Sequence, residues 1–248
     1  MSDVSVAYMF HAIGDVMPGD IADKHYAFSE NKFRDFLAVV GCVSSIRDAL
    51  QNPSHAKALC TFDDGHISNY AAALYMKEHG YGSADFFVNP STVGQKNFMD
   101  WAQLKEISAA GMSIQSHAYE HVYLSDLTEN EQYEQLYRSK SAIEEKLGSE
   151  VTIIAPPGGR FNAATKIAAQ RAGYKTLAGS VPGSWSGETA YVRRIPVMQG
   201  NTVEQLASCL KSLSPHRFRL QAKYYSTYTV KKMLGNGVYD ALRKKVLG

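Results

Sequence analysis

The feature that most constrains the fold is a regular alternation of short apolar runs with longer amphipathic segments along most of the 248 residues. The runs have the length of buried strands, and the segments between them carry apolar residues at helical spacing. Strands that alternate with helices predict a parallel sheet with crossover helices, closed or nearly closed into an α/β barrel at this chain length. Seven strands are predicted at residues 4–10, 58–62, 84–88, 112–115, 151–154, 174–178 and 192–197. Helices are predicted at residues 29–40, 68–79, 101–110, 128–147, 163–172 and 202–213.

Two polar motifs follow apolar runs. Asp63 and Asp64 lie in Thr-Phe-Asp-Asp-Gly after the second predicted strand, and Ser-His-Ala-Tyr-Glu-His later places His117 and His121 four residues apart. Alone, the first motif is often only a turn, and the second can be one exposed helix turn. In a parallel barrel, however, both would emerge at the same strand ends. One carboxylate and two imidazoles can hold a metal with one open position, which leaves the second carboxylate to act as a base.

A third motif completes a family resemblance. Residues 154–162 read Ile-Ala-Pro-Pro-Gly-Gly-Arg-Phe-Asn. Together, the three motifs resemble those of the polysaccharide deacetylase family, also called the NodB-homology domain or carbohydrate esterase family 4, over residues 4–200. The resemblance implies a distorted (β/α) barrel with fewer than eight strands. It also implies that the third motif forms one wall of the substrate groove, with Pro157, Gly158 and Arg160 as substrate contacts.

The resemblance implies metal-dependent amide hydrolysis and assigns roles to the first two motifs. Asp63 would be the general base, and Asp64, His117 and His121 would be the metal ligands. We expect zinc because a mixed imidazole and carboxylate site suits it. Cobalt or nickel could take its place because affinity discriminates poorly among these ions.

The general acid departs from the pattern of many family members, which carry it on a late histidine. The late histidine of this chain is His216, which lies in the basic C-terminal segment. His11 instead follows the first predicted strand, at the same end as the aspartates, and resembles an acid histidine found near the N-terminus of some family members. We therefore assign the acid to His11, with His216 as the alternative and a purely structural His11 also open.

Two further positions remain open. Family members often orient the base carboxylate with an arginine at the start of the third motif, where this chain has Ala155. Arg160, Arg193 or Arg194 could take its place. Trp185, in a loop rich in glycine and serine, could stack on a sugar as a substrate contact or could anchor the loop to the core.

Composition bounds the setting of the protein. Three well-separated cysteines indicate reduced thiols and no disulfide framework. The N-terminal residues lack the basic and apolar regions of a signal peptide, so we expect a cytoplasmic protein. A cytoplasmic deacetylase would meet nucleotide-linked or lipid-linked acetamido sugars. No nucleic-acid-binding motif is recognisable, so nucleic acid is not an expected partner.

The C-terminal segment is a separate electrostatic unit. From Pro215 onward the chain carries eight basic residues and one acid, a net charge of +7, whereas the rest carries −5. We expect a barrel at residues 1–213 and a basic amphipathic helical extension at residues 214–248. The extension either docks on the inner face of the membrane, near a lipid-linked glycan, or packs on the barrel with a solvated basic face.

Three classes of function are consistent with the sequence. The first is an N-deacetylase that acts on acetamido sugars in cell-surface polysaccharide or glycan biosynthesis. The second is another amidase on the same scaffold, such as a deformylase or a small cyclic amide hydrolase. The third is a non-catalytic carbohydrate-binding protein, which four intact motif residues argue against: Asp63, Asp64, His117 and His121.

Overall fold

Each predicted apolar run forms strand structure in the computed structural model, which describes residues 4–14, 24–52 and 57–234. The strands pair in parallel along the path β8-β7-β6-β5-β4-β3-β1-β9, and β2 pairs with the start of β3. The strands are β1 (Val6–Phe10), β2 (Val43–Ser44), β3 (Ala58–Phe62), β4 (Asp85–Val88), β5 (Ser113–Ser116), β6 (Ile153–Ile154), β7 (Thr176–Ala178), β8 (Tyr191–Val192) and β9 (Arg194–Pro196).

The last predicted strand brings the two edges of the sheet together. It divides into β8, which pairs with β7, and β9, which pairs with β1. Only Arg193 separates these two strands, so both ends of the path meet and the barrel is nearly closed. This confirms the predicted α/β barrel. The expectation of fewer than eight strands was wrong. The path has eight strands, because the strand predicted at residues 192–197 forms both β8 and β9.

Local chemistry explains where most helices begin. The capping boxes at Asp100 with Gln103 and at Thr128 with Glu131 are both formed, as the sequence predicts. Neither α2 nor β2 was predicted, and the predicted helix at residues 202–213 is shortened to α7. The helices are α1 (Glu30–Val40), α2 (Ile46–Gln51), α3 (Ser68–Glu78), α4 (Trp101–Ala109), α5 (Glu129–Leu147), α6 (Ala163–Arg171), α7 (Val203–Ser208) and α8 (Pro215–Leu234).

The helix α8 confirms a helical C-terminal extension, whereas residues 235–248 of that extension lie outside the described residues. The boundary between a barrel domain and this extension stays a prediction. Among the described residues, no helix has the length and hydropathy that crossing a bilayer requires.

The hydrophobic core has two layers. The larger layer lies between the sheet and the surrounding helices. It includes Phe10 and four aromatic rings that pack around it: Phe28, Phe33, Phe36 and Phe62. The smaller layer fills the barrel, and most of its side chains come from the strands or the residues just after them: Ala7, Leu59, Phe87, Ile153, Ala155, Ala178 and Val192. Ile46, Ala49 and Trp185 complete this layer. We call the carboxyl ends of the strands the mouth of the barrel and the amino ends the closed end.

A buried carboxyl group at the closed end gives the fold a pH-dependent stability. Asp85 at the start of β4 is fully buried, and its Oδ2 accepts a hydrogen bond from the backbone N–H of Ile46 at 2.5 Å. Burial raises the pKa of Asp85 from its ordinary 3.8 to about 6, although Ser113 and the Ile46 amide partly oppose the shift. The folded protein therefore binds more protons than the unfolded chain between about pH 4 and 6, and its stability falls as pH rises through that window.

The variant Asp85→Asn is expected to remove this dependence. Asparagine keeps an oxygen for the Ile46 N–H and cannot ionise, so the variant should be more stable than wild type at pH 8 by up to about 3 kcal/mol. The difference should fall to about 0.5 kcal/mol at pH 4 and toward zero below it, where the aspartate becomes protonated in both states. Urea unfolding of both proteins at pH 4, 6 and 8 measures it, and a difference that does not change with pH would contradict the assignment.

Candidate metal centre and active site

The adjacent residues Asp63 and Asp64 follow β3, and their carboxylates contact different groups. The N–H of Asp63 donates to the carbonyl of Phe10 at 2.9 Å, which continues the pairing of β1 and β3 into the mouth. Asp64 and Gly65 then both adopt positive φ, at 71° and 72°. Such a conformation is uncommon for a residue other than glycine and turns the chain sharply. The turn lets Asp63 bind an arginine inside the barrel while Asp64 approaches two histidines.

Asp63 forms a buried bidentate ion pair with Arg194. Arg194 Nη1 and Nη2 donate to the two carboxylate oxygens at 2.6 and 2.9 Å. The guanidinium is itself held by the carbonyl of Gly179 at 3.1 Å and by Thr61 Oγ1 at 3.1 Å. Burial raises the pKa of Asp63, but Arg194 and His117 more than offset this and lower the pKa below its ordinary value. Asp63 is therefore an oriented carboxylate at neutral pH.

Asp64, His117 and His121 converge at the mouth. Asp64 Oδ1 lies 3.2 Å from His117 Nε2 and 3.3 Å from His121 Nε2. One potential ligand atom from each residue lies within 4.8 Å of the other two. The side chains of His121 and Asp64 are 45% and 31% exposed, which leaves the cluster open to solvent on one side.

The hydrogen bonds around this cluster fit a bound cation. His117 Nδ1 lies 2.7 Å from the carbonyl of Ala155, which can only accept, so Nδ1 carries the proton. In a neutral ring, Nε2 then points a lone pair toward Asp64 Oδ1. That oxygen is buried and has no hydrogen-bond donor among the described residues. Two lone pairs that face each other are satisfied by a divalent metal, and carboxylate and imidazole are ligands that zinc takes.

The loop that carries the two histidines is held from both sides. Asn89 Nδ2 donates to the carbonyls of His117 and Ala118, the second at 3.2 Å. Ala118 has a φ of 64°, and its N–H donates to Ser116 Oγ at 3.2 Å. These contacts stabilise a backbone conformation that alanine rarely adopts, and they fix His117 on the buried side of the cluster.

Helix α5 holds the half of the loop that carries His121. Gln135 Oε1 accepts from the N–H of Glu120 at 2.8 Å, and Gln135 Nε2 donates to Glu120 Oε2 at 2.8 Å. The guanidinium of Arg138 lies 4.0 Å from the ring centre of Tyr119. The two residues between the histidines are thus anchored to α5, and we infer that Gln135 positions His121.

The variant Gln135→Ala is expected to bind zinc about tenfold more weakly, because loss of a group that orients a ligand commonly costs 10–100-fold. Competition for zinc against a chromogenic chelator measures this without relying on activity. Glu134→Ala is the matched control, since Glu134 is exposed on the same helix turn. An unchanged affinity in the Gln135 variant, or an equal loss in the control, would contradict the inferred role.

His11 lies near both aspartates. It follows β1 at the mouth, and its ring centre is 4.5 Å from that of Tyr26. Burial lowers the pKa of His11, and the carboxylates of Asp64 and Asp63 oppose that shift. The segment is held by the N–H of Ile13, which donates to Ser68 Oγ at 2.9 Å.

The structure does not bring His216 to the same place. His216 lies in the first turn of α8, where burial and the nearby Arg219 lower its pKa. The next residue, Arg217, is bound to carbonyls at the end of α7 and beyond it. Of the two histidines considered for the acid, His11 is therefore the one beside the aspartates.

The third motif forms the loop after β6 at the mouth. Pro157 is buried, and the guanidinium of Arg160 lies 3.8 Å from the ring centre of Tyr123. Gly158 has a φ of 60°, and a Cβ atom there would lie 2.7 Å from the ring of Tyr123. Glycine thus lets the loop pack against Tyr123. These three residues lie where the sequence predicts a wall of the groove, and their contact with substrate stays a prediction.

Trp185 lies away from the mouth. Its side chain is 6% exposed and packs in the barrel interior, with Nε1 donating to the carbonyl of Glu188 at 2.9 Å. Its backbone N–H donates to the carbonyl of Ser5, which precedes β1 at the closed end. This packing favours the anchoring interpretation of Trp185 and places it outside the predicted substrate contacts.

Several residues that shape the site were not identified from the sequence. Asn89, Gln135 and the carbonyl of Ala155 fix the histidines, and Thr61 supports the arginine. Asn89 had a detectable signal, because it ends a predicted strand just before a proline and so lies at the mouth. Gln135 had none, since its role depends on how α5 packs against the loop.

The fold and the cluster define a class of protein: α/β barrels with an Asp-His-His cluster that could hold a metal and an adjacent carboxylate at the mouth. Comparison with known proteins identifies the family. The Polysaccharide deacetylase family profile matches residues 51–177. The chain therefore belongs to the polysaccharide deacetylase family, in agreement with the motif resemblance.

Individual relatives agree with this assignment. The chain is 31% identical over 166 residues to YxkH of Bacillus subtilis, a protein named as a polysaccharide deacetylase. The aligned region covers 66% of this chain and 59% of YxkH. The chain is also 26% identical over 185 residues to the peptidoglycan-N-acetylglucosamine deacetylase PgdA of Listeria monocytogenes. That aligned region covers 71% of this chain and 38% of PgdA. The chain thus matches less than two thirds of the length of these relatives.

Solved structures support the fold. The Streptococcus pyogenes deacetylase PplD, solved in complex with acetate, superposes with a TM-score of 0.75 at 25% identity, over 85% of this chain and all of PplD. IcaB from Ammonifex degensii superposes with a TM-score of 0.72 at 24% identity, over 86% of this chain and 99% of IcaB.

Proposed function

We propose that this protein is a metal-dependent deacetylase that removes the N-acetyl group from an acetamido sugar of a cell-surface polysaccharide or glycan. The observation that carries the proposal is that the adjacent carboxylates of Asp63 and Asp64 have different partners. Asp64 joins His117 and His121 in a cluster that fits a metal, whereas Asp63 stays outside it as an ionised, oriented base. Family membership supports the chemistry, since the related PgdA is named for removing acetyl groups from N-acetylglucosamine.

Amide hydrolysis requires an attacking water, a polarised carbonyl and a proton for the departing amine. A divalent metal held by Asp64, His117 and His121 would polarise the carbonyl as a Lewis acid and would lower the pKa of a bound water. We expect zinc there, and the same ligands would accept cobalt or nickel.

Side chains of the protein carry out the proton transfers of the reaction. Asp63, fixed by Arg194, accepts a proton from the attacking water as the new C–O bond forms. His11 in its imidazolium form, which the carboxylates of Asp64 and Asp63 favour, donates a proton to the amine nitrogen as the C–N bond breaks, and acetate and the free amino sugar leave. We expect Arg160 and the backbone around Gly158, which pack against Tyr123, to line one side of the approach to the cluster.

The role of His11 has its own test. His11→Ala is expected to lower kcat by about 10²-fold or more while zinc content stays unchanged, because general acid catalysis typically contributes 10²–10⁴-fold. His216→Ala should behave as wild type, since His216 lies in α8 away from the aspartates. A His11 variant that keeps both its zinc and nearly full activity would remove the assignment.

The acyl group and the carrier are tested together. We would measure carboxylate release by the zinc-loaded protein from N-acetyl and N-formyl sugars, each as oligosaccharide, nucleotide-linked and lipid-linked forms. Release of acetate is expected. Release of formate without acetate would instead support the alternative amidase. The preferred carrier would also test the cytoplasmic setting, which stays a prediction from the sequence.

A further inference from the structure

The C-terminal helix α8 is fixed to the barrel by one of its faces. Arg217 is 4% exposed, and its guanidinium donates to the carbonyls of Cys209, of Lys211 at 2.9 Å and of Ser212 at 2.7 Å. Leu220 on the same helix packs against the core between the sheet and the helices. These contacts occupy the inward face, so the barrel cannot cover the opposite face at the same time.

The opposite face exposes aromatic residues. Phe218 and Tyr225, seven residues apart and therefore on one side of the helix, are 51% and 50% exposed. Leu213, just before the helix, is 64% exposed. Exposed residues of this size that share one face mark an interaction surface more often than isolated ones do.

The charge around these residues has one sign. Arg219 and Lys223 are exposed on the same outward half of α8 as Phe218 and Tyr225. The first acidic residue after Glu204 is Asp240, so no carboxylate from the helix itself balances them. We name this surface the α8 face and define it by Leu213, Phe218, Arg219, Lys223 and Tyr225.

The α8 face lies at the end of the barrel opposite the metal cluster. The carbonyl of Leu210, shortly before α8, accepts from the N–H of Val4, which precedes β1 at the closed end. The side chain of Gln221 lies beside Gly183, in the same loop as Trp185. A partner on the α8 face would therefore leave the mouth uncovered.

We propose that the α8 face docks the protein on the surface of an anionic phospholipid bilayer. Aromatic side chains enter the boundary between headgroups and acyl chains, and neighbouring lysine and arginine side chains bind anionic headgroups. A soluble polyanion would satisfy the charges but not the exposed rings, whereas a neutral apolar partner would leave the charges unmatched. Docking by this face turns the mouth away from the lipid, so the sugar is reached in the aqueous phase rather than at the membrane surface.

Vesicle co-sedimentation tests the proposal directly. The full chain would be mixed with vesicles of phosphatidylcholine alone and with vesicles of equal parts phosphatidylcholine and phosphatidylserine, at low and at near-physiological salt. Binding is expected only with phosphatidylserine and is expected to weaken as salt rises. Absence of binding to the anionic vesicles at low salt, or equal binding to both compositions, would overturn the proposal.

Matched variants locate the binding face. Phe218→Ser with Tyr225→Ser should weaken binding by about tenfold or more, since burial of aromatic surface adds to the headgroup attraction. The control is Ile167→Ser on α6, because Ile167 is 58% exposed elsewhere on the molecule. Circular dichroism would verify that each variant is folded. Undiminished binding by the double variant, or an equal loss in the control, would overturn the α8 face as the site.

Binding to soluble heparin separates lipid from polyanion recognition. The double serine variant should lose vesicle binding and retain its weak, salt-sensitive interaction with heparin, because the basic residues are unchanged. If both interactions fall together, or if the wild-type protein prefers heparin to the anionic vesicles, the bilayer is not the partner. Because none of these measurements uses activity, they stand apart from the proposed deacetylation.

Discussion

Replacing Arg194 with methionine is expected to lower the free energy of unfolding by about 3–5 kcal/mol, because it leaves the buried carboxylate of Asp63 without its partner. Both side chains are almost wholly buried, and two short hydrogen bonds join them. The same change should abolish most of the activity, since the base would lose the group that orients it and keeps it ionised. Urea unfolding and acetate release measure the two effects.

The double variant Asp63→Asn with Arg194→Met is the control for the buried pair. It removes both charges, so it should recover part of the stability lost in the Arg194 variant, and it should remain inactive. Additive losses of stability in the double variant would mean that the two side chains are not coupled, which would contradict the ion pair.

Replacing Asp63 with asparagine is expected to reduce kcat by about 10²–10⁴-fold, the usual contribution of a general base. Asparagine has nearly the same shape but cannot accept the proton of the attacking water. Asp64, His117 and His121 are untouched, so zinc content should remain at the wild-type level. Loss of activity together with loss of zinc would contradict a role outside the metal cluster.

Asp35→Asn is the matched control for the Asp63 variant. Asp35 is exposed on α1, so the same chemical change there should leave both kcat and zinc content unchanged. A comparable loss of activity in this control would mean that the effect of the Asp63 variant is not specific to the site.

The fold was largely predictable because its strong signals are local. The capping boxes at Asp100 and Thr128, and Gly148 at the end of α5 with a φ of 67°, are each determined by residues within one turn of the helix. Helix α2 and strand β2 were missed because they are short and owe their stability to contacts with distant residues. One such contact joins Ile46 to Asp85, 39 positions along the chain.

The site was predictable where a motif contains its own chemistry. Asp64, His117 and His121 meet because parallel strands end at one mouth, and the alternation of strands and helices was sufficient to expect this. The choice among three arginines was not possible from the sequence. Arg194 in β9 pairs with Ala7, which points into the barrel, as does Val192 in β8. The next residue, Ile195, packs against the helices. That distinction follows from the register of β9 on β1.

The loops were the least predictable part of the site. Trp185 lies in a loop of glycine and serine that could lead to either end of the barrel. Its path is set by pairing with Ser5 and by packing in the interior. Gln135 lies 15 positions from Glu120 and is one of many polar residues on α5, so only tertiary packing reveals its contact with the loop that carries His117 and His121.

The most direct test of the account is acetate release from N-acetylglucosamine oligomers by one protein preparation in three states: zinc-loaded, stripped by a chelator, and reloaded with zinc. We predict release that disappears on stripping, returns on reloading and is absent from a zinc-loaded Asp63→Asn variant. Acetate release that persists without metal, or that persists in the Asp63 variant, would contradict a metal centre at Asp64, His117 and His121 served by Asp63 as base.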